Sequence, residues 1–287
     1  MPGTPASAAT PANPVNPANP SNLAGPTNAG NAVPPDTRAT PPTSVTTADP
    51  VVTGAGAMLD AEAEQQWNAR QLLEPVRTPV MKVFGYRQGA VVLGRSQHRL
   101  ADAPAAHTGL PLVRRGAGGG AVLVGPWLLS ASILLPLDDP RIARASIADS
   151  YRWLGEAMVQ ALASLGVQAR AVPPAEQIRA PAELSWACFA GVAPWEVVVD
   201  DPVTGAARKL VGFAQRRSRH GVLLALGVLM QPAPWRQLAE PLGQSAELAD
   251  QLAASTVDLA CVAGQPVSSV RLLQALIPLL QPMTVQS

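Results

Sequence analysis

Apolar positions recur along this chain with two spacings, and the switches between them mark out its elements. Over residues 58–73, Leu59, Ala63, Trp67 and Leu72 recur at helical spacing among Glu62, Glu64 and Gln65, and Pro75 then stops the pattern. Two short β-branched runs, 80–86 and 90–94, are separated by Arg87-Gln88-Gly89, which predicts a hairpin. Residues 110–113 and 122–135 are apolar runs on either side of a glycine-rich stretch. Within the second, 128–135 reads as a buried strand closed by Pro136 and Asp138-Asp139-Pro140. From 146 to 165, Ile147, Tyr151, Leu154, Met158, Leu162 and Leu165 keep helical period, and Gly166 follows where a C-terminal cap belongs. Residues 167–172 read as a short strand, and 173–183 are polar and irregular. Residues 195–199 and 209–214 predict a long hairpin around Asp201-Pro202-Val203-Thr204-Gly205, and 221–230 a further strand. The segments 235–242, 246–254 and 267–280 read as helices. Strands fill the middle and helices the flanks, so the expected class is α+β.

Residues 1–54 follow neither spacing. Twelve prolines stand in the first fifty positions, and no aromatic residue precedes Trp67. Such a segment buries too little apolar area to offset its ordering entropy, so it is expected to be a disordered leader, with residues 55–287 as the folded domain. The leader lacks a basic start followed by an apolar stretch, which argues against a secretory signal. No eighteen apolar residues run together, so no membrane span is expected.

For the chain as a whole, 47% hydrophobic and 14% charged residues imply a large core. A formal charge of +1 makes no electrostatic case for nucleic acid or an anionic membrane. Cys188 and Cys261 fit a reducing cytoplasm rather than a disulfide framework. His98, His107 and His220 are scattered without ligand spacing, so no metal site is expected.

The most unusual stretch is Arg114-Arg115-Gly116-Ala117-Gly118-Gly119-Gly120-Ala121-Val122-Leu123. Glycines at this density let main chain approach a ligand, and successive N–H groups in such a turn form a concavity for a carboxylate, a carbonyl oxygen or a phosphate. A plain turn between two strands has the same composition. Gly116, Gly118 and Ala121 also fit the dinucleotide-binding spacing, but that motif needs a helix to follow. Ala-Val-Leu-Val-Gly-Pro-Trp suits a strand and a turn instead, so the nicotinamide reading is set aside.

Three segments in order resemble the biotin/lipoate protein ligase and transferase family over about residues 57–280. Val91-Val92-Leu93-Gly94-Arg95-Ser96-Gln97 looks like its strand ending in a Gly-Arg-x-Gln corner. Arg114-Arg115 with Gly118-Gly119-Gly120-Ala121-Val122 looks like its acyl-binding loop. Arg208-Lys209-Leu210-Val211-Gly212-Phe213-Ala214-Gln215-Arg216-Arg217 is similar to the segment that carries its near-invariant lysine, here Lys209. The resemblance implies a class II aminoacyl-tRNA-synthetase/biotin-ligase-like domain with a mixed, largely antiparallel sheet. It also implies attachment of a lipoyl or octanoyl group to a lysine of a lipoyl carrier domain or glycine-cleavage H protein. Lys209 would stabilise charge on the acyl carbonyl. Arg114, Arg115, Gly118, Gly119, Gly120, Ala121, Gly94, Gln97, Gly212 and Ala214 would bind substrate.

Ser185-Trp186-Ala187-Cys188-Phe189 and Pro194-Trp195-Glu196 resemble the cysteine segment of the cysteine-dependent octanoyltransferases. There a thiol takes octanoate from acyl carrier protein and passes it to the carrier, with no cofactor. A free thiol, with a pKa of about 8.5, needs a nearby cation to be much ionised at neutral pH, and Lys209 is the expected one. A lipoate ligase would instead use ATP and Mg. The segment after Met230 reads as the domain's own closing helices, which favours a transferase, or a ligase whose accessory domain is a separate chain. A third alternative is a degenerate member that binds without chemistry. Val124 and Gly125 stand where the family places His and Asp, and Leu226-Gly227-Val228 stands for its His-Gly-Ser-like turn. Arg219 and His220 are the residues placed to compensate. Cys261 matches nothing in the family and is expected to be packing.

Overall fold

The computed structural model describes residues 58–102, 109–282 and 284–286, so the expected leader at 1–54 lies outside the described residues. Its main sheet has eight strands. In chain order these are β1 (Met58–Leu59), β2 (Val80–Tyr86), β6 (Leu128–Leu135), β7 (Arg170–Ala171), β8 (Val197–Asp200), β9 (Ala207–Ser218), β10 (Gly221–Leu229) and β11 (Thr284–Gln286). The spatial order is β1-β2-β6-β10-β9-β8-β7, with β11 against β2. Pairs made by β6, β9 and β10 are antiparallel, whereas β1 and β11 run parallel to β2. All eight residues of β6 are buried, as expected for a strand that reads as one continuous apolar run. A second sheet holds β3 (Ala90–Leu93), β4 (Leu112–Arg114) and β5 (Val122–Val124), in the order β4-β3-β5.

The expected hairpin of 80–86 with 90–94 does not form. β2 pairs with β6, while β3 pairs with β4 and β5 in the other sheet. All four residues of β3 are buried, and its two edges are taken by β4 (parallel) and β5 (antiparallel). The other hairpin forms as β8 and β9, with Asp201 accepting from Val203 N and Thr204 N in the turn.

Helices flank the sheets. α1 (Ala61–Gln71) is capped by Asp60, whose side chain accepts from Ala63 N. α2 (Arg152–Ser164) buries Leu154, Met158, Ala161 and Leu162 and ends before Gly166, at φ +81°. α3 (Arg236–Ala239) and α6 (Ser269–Leu276) are shorter than expected. Each passes into a 3-10 turn containing a proline, Pro241 and Pro278, because proline cannot donate the next helical hydrogen bond. α4 (Ala246–Ala254) has the expected bounds, and α5 (Leu259–Ala263), capped by Asp258, is an addition. The strand expected at 167–172 shrinks to β7. Among the described residues no helix is long and apolar enough to cross a membrane.

One mismatch of lengths positions the site. β9 has twelve residues and β8 four, so β8 covers β9 only as far as Val211. Among the described residues, no strand flanks the outer edge of β9 beyond that point, and the segment with Cys188 lies beside it.

Candidate active site

The loop between β4 and β5 is folded down onto the end of β3. Arg115 N donates to Leu93 O (3.0 Å) and Arg95 N to Ala117 O (3.1 Å). A Cβ on Gly94 would lie 1.7 Å from Gly119 O, and Gly119 has φ +91°, so both positions demand glycine. The same loop is tied to the cysteine segment by main chain: Ala121 N donates to Trp186 O (2.7 Å) and Cys188 N to Ala121 O (2.9 Å). Gln97 Nε2 donates to Trp186 O (2.9 Å), and Gln97 Oε1 accepts from Gly94 N (3.3 Å). Gly120 sits so close that a Cβ there would meet Trp186 O at 2.6 Å and Cys188 N at 2.9 Å. Residues far apart in sequence thus bring a thiol to the glycines.

The cation beside that thiol is Arg115, not Lys209. Arg115 is buried, its Nη2 donates to Gly118 O (2.8 Å) and Gly120 O (3.0 Å), and the same nitrogen lies 3.7 Å from Cys188 Sγ. Its Nε is buried without a hydrogen-bond partner among the described residues. Arg114, one residue earlier on a strand, points the other way. It is exposed, pairs with Asp102 and donates through Nε to His98 O (3.3 Å), which corrects its expected place in the substrate site.

Lys209 is fully buried and fully committed. Its ammonium lies 2.6 Å from Glu196 Oε2 and donates to Cys188 O and Gly191 O, both at 3.0 Å. An ammonium has three protons, and these three acceptors account for them. Glu196 also accepts from Ala193 N (2.7 Å) and Phe213 N (2.8 Å). The pair therefore anchors the cysteine segment to β9. The expected contact between the ammonium and the thiol does not occur.

Cys188 opens onto an inner cavity of about 70 Å³. Val92, Val122, Leu128, Phe189 and Leu226 supply apolar wall, and Gly212 and Ala214 face it from β9. Val124 also lines the wall, so two of the positions where the family carries polar groups are apolar cavity surface here. Val228 is core, and Gly125 lies under the Trp127 ring. Arg219 and His220 do not compensate for them. Arg219 donates to His220 Nε2, His220 Nδ1 meets Leu72 O, and neither residue lines the cavity. Cys261 is exposed on α5 and lines neither this cavity nor the groove described below.

A polar group set in that wall escaped the sequence reading. Glu64, on α1, accepts from Tyr86 Oη (2.5 Å) and Ser130 Oγ (2.8 Å). Burial pushes the Glu64 carboxyl above its ordinary range, against the pull of those hydrogen bonds, Gln65 and the Arg115 charge. Burial and the Glu64 charge also hold the Tyr86 phenol well above its usual value. The stripe expected from Leu59, Ala63, Trp67 and Leu72 missed this because α1 buries Ala61, Glu64 and Asn68. A charged residue spaced three from Ala61 and four from Asn68 was the available signal.

Residues 63–257 match the lipoyl protein ligase A/B catalytic domain. The chain belongs to this family. Similarity to octanoyltransferase LipM of Kyrpidia tusciae runs at 32% identity over 208 residues, 69% of this chain and 73% of that protein. Among solved structures, the lipoyl protein ligase fold here is similar to a bipartite lipoate protein ligase of Thermoplasma acidophilum, studied with its E2 lipoyl domain. That match has a TM-score of 0.54 and 19% identity, covering 80% of this chain and 84% of that one. A second T. acidophilum structure, with bound lipoic acid, has a TM-score of 0.53 and 19% identity over 75% of this chain and 78% of that one. The mixed, largely antiparallel sheet flanked by helices is the fold expected of the family. Among the described residues of this family member, no cluster of His, Cys, Asp and Glu could hold a metal ion.

Proposed function

We propose that residues 55–287 catalyse attachment of an octanoyl or lipoyl group to a lysine of a lipoyl carrier domain or glycine-cleavage H protein, through a thioester on Cys188. The observation that carries this reading is the sulfur at the head of an apolar cavity, 3.7 Å from the Arg115 guanidinium. In the first half-reaction the Cys188 thiolate attacks the thioester carbonyl of octanoyl-acyl carrier protein. A C–S bond forms at Cys188, the donor's C–S bond breaks, and the departing thiolate takes a proton. In the second, the carrier lysine amine attacks the Cys188 thioester, an amide forms, the amine loses a proton and the thiolate is regenerated.

Arg115 has an unpartnered buried Nε as well as the Nη2 at the sulfur, which suits it to stabilise charge on the attacking sulfur or the carbonyl oxygen. Gly118, Gly119 and Gly120 bring main chain to the head group. Cys188 and Arg115 thus carry the chemistry in this reading. Lys209 holds the nucleophile's segment in place.

This route uses no ATP, because the donor thioester is already activated. A ligase with ATP and Mg would have no need of a sulfur at the cavity head. Apolar Val124 and Leu226 suit an alkyl chain and do not require the degenerate reading. Two free cysteines, Cys188 and Cys261, support a reducing cytoplasm. The test is incubation of the protein with octanoyl-acyl carrier protein in the absence of ATP, followed by intact mass. An octanoyl adduct on Cys188 that passes to an added lipoyl domain supports transfer, whereas lipoate-dependent pyrophosphate release that survives Cys188→Ser would replace it with the ligase.

A further inference from the structure

A second opening reaches the same sulfur. Cys188, Phe213 and Ala214 line both the inner cavity and an outer groove of about 330 Å³. Along β9, Gly212 and Arg216 face the inner cavity, while Gln215 and Arg217 face the groove. A strand alternates its side chains in this way, so the two spaces lie on opposite faces of its open edge. Gly118, Gly119, Ile147 and Tyr151 complete the groove. The Tyr151 ring stacks on Phe213, with centroids 5.7 Å apart, and Ile147 is 67% exposed.

Arg217 stands exposed on the groove wall. Its Nε donates to Gln215 Oε1 (2.6 Å), and among the described residues it has no acidic partner. A fixed, accessible guanidinium with its remaining donors free is suited to a phosphate.

Resting on the acyl-transfer reading above, we infer that the outer groove holds the phosphopantetheine arm of the acyl donor, with its phosphodiester at Arg217. The carbonyl carbon of a thioester carries its alkyl chain and its sulfur in diverging directions. With the carbonyl at Cys188 and the alkyl chain in the inner cavity, the sulfur and all that follows it must leave by another opening. The groove supplies that opening: bare main chain at Gly118 and Gly119 for the amides of the arm, aromatic and aliphatic surface from Tyr151 and Ile147, and a cation at its wall. An acceptor lysine would bring its own positive charge to Arg217, which makes the donor arm the better occupant.

The test compares two donors, octanoyl-phosphopantetheine and octanoyl-N-acetylcysteamine, which share the thioester and differ in the phosphate-bearing part. The readout is the rate at which the Cys188 adduct appears by intact mass. Arg217→Gln and Arg217→Glu should lower the preference for the phosphate-bearing donor by about ten- to hundredfold, as expected for loss of a charged hydrogen bond. Arg217→Lys should restore much of it. Equal effects on both donors, or none, would overturn the assignment. So would an effect confined to the second half-reaction, passage of the acyl group from preformed adduct to a lipoyl domain, since the groove would then belong to the acceptor. If the unsubstituted protein takes an acyl group from neither donor, the transfer reading itself falls, and this assignment with it.

Discussion

The Lys209 ammonium lies 2.6 Å from Glu196 Oε2, both residues are buried, and the lysine's other two hydrogen bonds go to the carbonyls of Cys188 and Gly191. A buried pair of this kind is costly to break, because the surviving charge has nowhere to go. Lys209→Met leaves the Glu196 carboxylate with only the Ala193 and Phe213 N–H groups. The expected loss is about 3–5 kcal/mol in urea denaturation. Adding Glu196→Gln removes the stranded charge and should return part of that stability. A Lys209→Met protein as stable as its parent would show that the pair does not anchor the segment.

Arg115 is predicted to matter to chemistry as well as to the loop. Arg115→Gln should slow formation of the Cys188 adduct by about 10²-fold, the size expected for loss of one preorganised donor at a reacting oxygen or sulfur. Cys188→Ser should yield no thioester at all. Because Arg115 also braces Gly118 O and Gly120 O, the melting temperature of Arg115→Gln must be measured beside the rate. A normal rate in a folded variant would remove Arg115 from the mechanism.

Much of this arrangement could be read from residue order, and what could not has identifiable causes. The apolar run 128–135 became β6, and the helix read at 246–254 became α4 with the same bounds. Strand partners were hidden: β2 and β3 are separated by three residues yet join different sheets, because period-two patterning reports a face and never a neighbour. Nor does residue order separate Arg114 from Arg115, although Arg114 closes β4 with its side chain exposed and Arg115, the first residue of the loop, turns inward. The motif around Lys209 does not contain its counter-charge, Glu196, which lies on a different segment. Glu196, a lone acid among Trp195, Val197 and Val198, was the sign that a buried cation lay nearby.

The glycines of the loop are predicted to be unequal. A methyl on Gly94 or Gly120 would run into main chain, at 1.7 Å from Gly119 O and 2.6 Å from Trp186 O, whereas nothing lies within 4 Å of one on Gly118. Main chain cannot swing aside as a side chain does, so Gly94→Ala and Gly120→Ala should each cost at least about 1–3 kcal/mol. Gly118→Ala should melt like the parent. A thermal scan of the three proteins tests the register of the loop against the cysteine segment, and equal melting temperatures would mean that the two are not in contact.

Glu64 makes a prediction in pH. Its folded carboxyl holds a proton more tightly than the ordinary value of 4.5 allows, chiefly through burial. The folded state therefore binds more protons than the unfolded state over the interval above 4.5. Stability from this group is complete below that value and is lost as pH rises through the folded value. Above it, the protein carries the cost of a buried carboxylate held by Tyr86 and Ser130. Glu64→Gln cannot ionise, so it should match the parent at acid pH and equal or exceed it at neutral pH, with a flatter stability profile in between. Denaturant midpoints measured from pH 4 upward should show the two curves parting in that direction. If the parent instead gained stability over the glutamine variant as pH rose, the charged form would be the favoured one and the carboxyl would be better satisfied than its burial implies.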